Sequence, residues 1–183
     1  LWMGTGLDNV FLQKASRVLQ RNRIPHLIVV DNADHDKVTY GFSEKQIQTA
    51  WAYFRYDGEE NMRNLFLWLG REFGGLACTA APPCPLAWNG VYHPRWQGKP
   101  EDIAGYLAAH YEDGRLTVGV IFYRSEWITG DFTYHTALIH AIEREGMNAI
   151  AVFSNSYRDE RVESPTLMDA IRKYFCRDGQ PFV

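Results

Sequence analysis

Two apolar runs constrain this chain most: LTVGVIFY, Leu116 to Tyr123, and AIAVF, Ala149 to Phe153. Neither carries a charge, and both are rich in β-branched and aromatic residues, so each reads as a strand buried on both faces. Between them Tyr134, Ala137, Leu138, Ala141 and Ile142 recur at the spacing of a helical stripe, within a segment from about Asp131 to Glu145 that Gly146 ends. Strand, helix, strand in that order predicts a parallel βαβ unit with a right-handed crossover.

The remainder reads as mostly helical. Asp8 can cap a helix with Phe11, Leu12, Ala15, Val18 and Leu19 as its apolar stripe, stopped before Pro25. His26 to Val30 reads as a short strand, and DNADHD after it as a loop. Ser43 with Gln46 three positions on is a capping-box pattern. That helix ends at Asp57 and Gly58, and a second follows from about Glu59 to Phe73, before Gly74 and Gly75. Met62, Leu65, Phe66, Trp68 and Leu69 make the second helix apolar nearly all round, which predicts burial in the fold or in an interface. Four prolines from Pro82 to Pro94 predict an extended connector. Pro100, Glu101 and Asp102 suit a helix start, with Ile103, Tyr106, Leu107 and His110 on one face and Gly114 at the end. A last helix runs from near Ser164–Pro165 to about Phe175. The resulting organisation is an α/β-helical segment over 1–80, a Pro-rich connector over 81–98 and a Rossmann-like or flavodoxin-like α/β unit over 99–183.

Charge excludes some functions. A net charge of -3 gives no global pull toward nucleic acid. No apolar run is long enough to span a membrane, and the first residues lack the basic and apolar regions of a signal peptide. Three cysteines without a CxxC pair suit a reducing compartment, so a cytoplasmic location is expected. The chain opens at Leu1 rather than Met and two glycines follow closely, which leads to the expectation of a fragment of something longer.

Ligands of parallel α/β sheets collect outside the carboxyl ends of the strands. Arg124, Ser125 and Asp131 fall there, on an expected loop between strand and helix. Arg124 can pair bidentately with a carboxylate; the alternative makes Asp131 a helix cap and Arg124 an ion-pair partner. Tyr92 and His93 in GVYHP are further candidates, His93 as a proton donor or ligand, with packing of the connector as the alternative. No metal site is expected. His135 and His140 are five apart and diverge on a helix, DNADHD lacks EF-hand spacing, and Cys78 and Cys84 have no second pair. GTGLDN near the start has only half of a dinucleotide-binding fingerprint.

Several stretches taken in order resemble one family. These are Glu60, Asn61 and Asn64 in DGEENMRNLFLWL, then GVYHP, then VGVIFYRS with TGD and ALIHAIEREGMNAIAVF, then SNSYRD from Ser154 to Asp159. The same order resembles the cobaltochelatase large subunit (CobN) and its relative, the H subunit of magnesium chelatase, over roughly residues 50–183. FYR and SYRD resemble the cobalt branch more, whereas RS with TGD resembles the magnesium branch too. The resemblance implies an N-terminal portion of a larger multidomain subunit that binds tetrapyrrole and works with an AAA+ ATPase and an integrin-like subunit. ATP hydrolysed by the partner drives cobalt into hydrogenobyrinic acid a,c-diamide, in cobalamin biosynthesis, or magnesium into protoporphyrin IX. It implies that this piece alone is inactive and holds no cofactor, and that catalytic residues lie downstream. Arg124, with Tyr92 and His93, is then expected to face acidic side chains of the tetrapyrrole. A docking or scaffold module, and a free-standing periplasmic-binding-like or nucleotide-binding module, are the other readings.

Overall fold

The computed structural model describes residues 2–3, 10–29, 39–155, 158 and 163–183. They form two units, Leu1–Pro85 and Leu86–Val183, divided inside the stretch read as a connector. GTGLDN with Asp8, the DNADHD loop, and Ser156, Tyr157 and Asp159 of SNSYRD lie outside the described residues.

In the first unit, β1 (Trp2–Met3) pairs in parallel with β2 (Ile28–Val29), and His26, also in the expected strand, makes an isolated bridge to Tyr40. Helix α1 (Val10–Arg21) buries Leu12 and Ser16 and leaves Phe11 and Val18 exposed. The expected stripe therefore does not face inward as a whole. The Ser16 hydroxyl lies 2.8 Å from His26 Nε2, which turns the Leu12–Ser16 line in. Helix α2 (Glu44–Tyr56) opens with the predicted capping box, Ser43 donating its N–H to Gln46 Oε1 at 2.8 Å. Asp57 and Gly58 turn the chain with positive φ, and α3 (Glu59–Gly74) runs to a left-handed Gly75. Trp51, Tyr53, Leu65 and Trp68 form the core between them.

Helix α3 is not apolar all round. Phe66 is 61% exposed, and two amides, Asn61 and Asn64, take inward positions. Their partners explain this. Asn61 donates to the Cys84 carbonyl at 2.8 Å and accepts the Cys84 N–H at 2.9 Å. Asn64 accepts the Ala81 N–H at 2.8 Å, and the Tyr53 hydroxyl donates to the Ala81 carbonyl. A proline-rich stretch cannot satisfy its own backbone by secondary structure, so buried side-chain amides satisfy it instead.

The second unit holds a sheet in the order β3–β5–β4, with β3 (Gly90–Tyr92), β4 (Thr117–Tyr123) and β5 (Asn148–Ser154). β4 and β5 run parallel, Thr117 opposite Asn148 through Tyr123 opposite Ser154. The third strand was not foreseen: β3 joins antiparallel, Gly90 opposite Phe153. All seven residues of β5 are buried, whereas β4 is an edge strand in which only Phe122 is. On one face of β5, Ala149, Ala151 and Phe153 meet Ile139 and Ile142 of α6 (Thr133–Arg144). On the other, Ile150 and Val152 meet Tyr106 of α4 (Ile103–His110) and Ala170, Tyr174 and Phe175 of α7 (Leu167–Phe175).

Three local readings need correction. The segment expected as a loop after β4 is helix α5 (Arg124–Thr129), which leaves the strand without an intervening turn. Helix α6 buries His135, Ile139 and Ile142; of the expected stripe only Ile142 is buried, and Tyr134 is 72% exposed. The face is displaced by one residue because the His135 ring packs 4.1 Å from the ring of Phe122. Pro100 does not open α4: its carbonyl accepts the Val91 N–H at 2.8 Å, and Asp102 caps the helix through the Gly105 N–H at 2.9 Å. A hairpin of β6 (Cys176–Arg177) and β7 (Gln180–Pro181) turns through Asp178 and Gly179, both at positive φ.

Asn61→Ala leaves the Cys84 N–H and carbonyl without this partner, and Asn64→Ala does the same to the Ala81 N–H. Each should cost about 1–3 kcal/mol, read as a lowered urea midpoint. A surface change such as Glu59→Ala should stay within about 0.5 kcal/mol.

Candidate functional site

β3 delivers His93 to the amino end of β5, because the strands are antiparallel and Tyr92 lies opposite Ala151. There His93 is 2% exposed. The Arg95 N–H donates to its Nδ1 at 3.1 Å, so Nε2 carries the proton and donates to Glu143 Oε1 at 3.0 Å. The Arg95 guanidinium donates to the same oxygen at 2.9 Å. His110 stacks on His93 with ring centroids 4.3 Å apart, and Trp96 and Tyr106 complete the aromatic wall.

Burial pushes the His93 imidazole below its ordinary range, against the bond to Glu143 that pulls it up. Burial and Arg95 push His110 the same way. Burial alone would raise Glu143, but the His93 bond, His93, Arg95 and His140 together hold it below the usual carboxylate range. The contact is therefore a neutral imidazole N–H on a carboxylate rather than an ion pair.

Glu143 opens onto a cleft of about 940 Å³ that Arg95, His110, Arg115, His140 and Arg144 also line. Asn148 fixes one wall, accepting the Glu112 N–H and donating to the Glu112 carbonyl, both at 2.9 Å. Arg115 pairs with Glu112 at 2.6 Å; Arg144 has no ion pair among the described residues. A cleft lined by three guanidiniums, two carboxylates that pair with two of them, and imidazoles suits an anionic ligand at the remaining guanidinium, Arg144. Among the described residues no three His, Cys, Asp or Glu side chains converge as metal ligands, and no helix is long and apolar enough to cross a membrane.

The other candidates lie elsewhere. Arg124 follows the carboxyl end of β4, the opposite end of the sheet from His93. It is buried, donates from Nε to the Ala87 carbonyl at 2.8 Å and lies over the Trp88 ring at 4.3 Å. Ser125 is exposed on α5, where its carbonyl accepts the Thr129 hydroxyl at 3.0 Å. Asp131 is exposed and does not cap α6, whose N-cap position is Phe132. Tyr92 stacks on Phe132 at 4.1 Å, and its hydroxyl lies 2.8 Å from that of Thr136. Of the five residues singled out, the structure thus brings only His93 into this cluster, where it is buried behind Glu143 rather than lining the cleft. Arg95, His110 and Glu143 were missed. Arg95 directly follows the GVYHP motif, but nothing in spacing links His93 with a glutamate 50 residues away.

The sequence model of the CobN/Magnesium Chelatase family matches residues 51–183. The chain belongs to this family. An uncharacterized protein of Methanocaldococcus jannaschii is 35% identical over 136 residues, 72% of this chain and 11% of that protein. The aerobic cobaltochelatase subunit CobN of Sinorhizobium sp is 32% identical over 124 residues, 61% of this chain and 9% of that protein. The fold is similar to that of the catalytic subunit of cobaltochelatase from Mycobacterium tuberculosis, with a TM-score of 0.52 and 18% identity over 92% of this chain and 13% of that one. The chain spans about a tenth of the length of these curated relatives. For this CobN/magnesium chelatase family chain, the matched region contains the whole His93–Glu143 cluster.

The cluster gives stability a defined pH dependence. Folded His93 lies below its ordinary value of 6.5, so unfolding below that pH takes up a proton. Its contribution is full above about pH 6.5 and is lost as pH falls through the folded value, and His110 adds the same sign. The urea midpoint should fall between pH 7.5 and 5.5 with uptake approaching about one proton per imidazole, and His93→Gln should flatten that fall.

Proposed function

We propose that this chain is part of the tetrapyrrole-binding large subunit of an ATP-dependent metal chelatase that inserts cobalt into hydrogenobyrinic acid a,c-diamide, in cobalamin biosynthesis. The family match over residues 51–183 carries the reading. The Sinorhizobium relative, named as an aerobic cobaltochelatase subunit, favours cobalt. Magnesium insertion into protoporphyrin IX is the second reading, because the family description names both activities. In either case the metal is a substrate, and an AAA+ ATPase with an integrin-like subunit supplies ATP hydrolysis in the cytoplasm.

Inserting a metal displaces the protons of pyrrole nitrogens, so the reaction needs an acceptor. Glu143 is the carboxylate in the cleft assigned this role: it lines the cleft, and its bonds to His93 and Arg95 both use Oε1. Arg144 and Arg115 suit the carboxylate arms that such tetrapyrroles carry. At the opposite edge Arg124 serves the reading only indirectly, by fixing the start of α5 against Ala87 and Trp88.

Titration with hydrogenobyrinic acid a,c-diamide, and separately with protoporphyrin IX, can be followed by quenching of the six tryptophans and the shift of the Soret-region band. Saturable micromolar binding is expected, with the cobalt-route tetrapyrrole preferred and Arg144→Ala weakening it about tenfold. Binding untouched by Arg144→Ala places the arms elsewhere, and a large subunit that binds neither tetrapyrrole overturns the reading.

A further inference from the structure

Strand β4, TVGVIFY, contains no charge and no proline, and among the described residues it pairs on one side only, with β5. Sheets normally shorten, charge or cover such an edge, because its unpaired N–H and C=O groups accept any extended apolar segment. Here it is bare. Ile121 is 42% and Tyr123 63% exposed, although Ile121 lies opposite the fully buried Val152.

Handedness identifies what belongs there. The β4–α6–β5 crossover packs on the face of Val120, Phe122, Ala151 and Phe153. Helix α7 follows β5 on the opposite face, against Ile150 and Val152. Right-handed crossovers on opposite faces travel in opposite directions across a parallel sheet. A crossover begun by α7 therefore returns past β4. Its last residue, Phe175, already lies under that strand, 3.2 Å from where a Cβ on Gly119 would stand. The other side of β5 is filled by β3.

We propose that the free edge of β4 receives a further parallel strand, apolar on both faces, from the large-subunit polypeptide that follows the α7 crossover. The approach of that strand covers Ile121 and Tyr123. The inference rests on the reading of this chain as part of a larger subunit, in keeping with relatives about ten times its length. It makes β4 an interior strand of the complete sheet.

Amide hydrogen exchange over residues 116–123 tests it, in the 183-residue chain and in the large subunit that carries it. The outward amides of β4 should exchange about 100-fold more slowly in the large subunit. Ile121→Lys should leave the unfolding midpoint of the 183-residue chain in place and loosen β4 in the large subunit. Equal, fast exchange in both overturns the proposal. So does protection in the 183-residue chain that grows with its concentration, which assigns the edge to a second copy. Tetrapyrrole titration of the same large subunit reads the functional proposal separately: binding with an unprotected β4 removes the strand alone, and a protected β4 without binding removes the function alone.

Discussion

Burial of β5 on both faces is what the second unit depends on. Ala149, Ala151 and Phe153 feed the core under α6, while Ile150 and Val152 feed the core under α4 and α7. Removing any of these side chains opens a cavity under the helices packed there. The same strand sets the site. β3 runs antiparallel beside it and ends with His93 at the amino end. Helix α6 ends near that point too, turning through Gly146 into Asn148. His93 and Glu143 are 3.0 Å apart because two different connections terminate at one end of one strand.

That placement runs against the usual geometry of parallel α/β sheets, in which ligands lie beyond the carboxyl ends. At that edge the sheet is instead closed by structural contacts, among them Arg124 on Ala87 and Trp88. The His93–Glu143 cluster sits at the amino end, beside the antiparallel strand β3. Burial keeps His93 neutral and Arg95 orients it, so Glu143 keeps its negative charge beside cleft arginines. An ionised carboxylate backed by a neutral imidazole and paired with Arg95 holds one fixed negative charge at the cleft wall.

The apolar runs 116–123 and 149–153 announced parallel strands because uninterrupted β-branched sequence has few other uses at that length. Caps at Ser43 and glycine stops at Gly75 and Gly146 were equally readable. What sequence pattern missed has specific causes. β3 spans only three residues, too few to show a period. RSEWIT has no cap residue before it, so α5 passed for a loop. The α6 stripe was displaced because a count of apolar residues leaves out His135, whose ring nevertheless packs on Phe122. Asn61 and Asn64 look polar and outward until the backbone of Cys84 and Ala81, in the proline-rich stretch, is placed beside them. Of the site, His93 was visible as a residue type, while Arg95, His110 and Glu143 join it only through the register of β3 on β5.

The most direct test of the account is the initial rate of metal insertion by the proposed large subunit with the proposed ATPase and integrin-like partners, wild type against Glu143→Gln. Glutamine keeps the side-chain shape beside His93 but cannot accept a proton. The account predicts unchanged tetrapyrrole affinity with insertion slowed about 100-fold or more, the scale of a lost general base. Insertion within about twofold of wild type would contradict it and make the His93–Glu143 pair a structural feature alone.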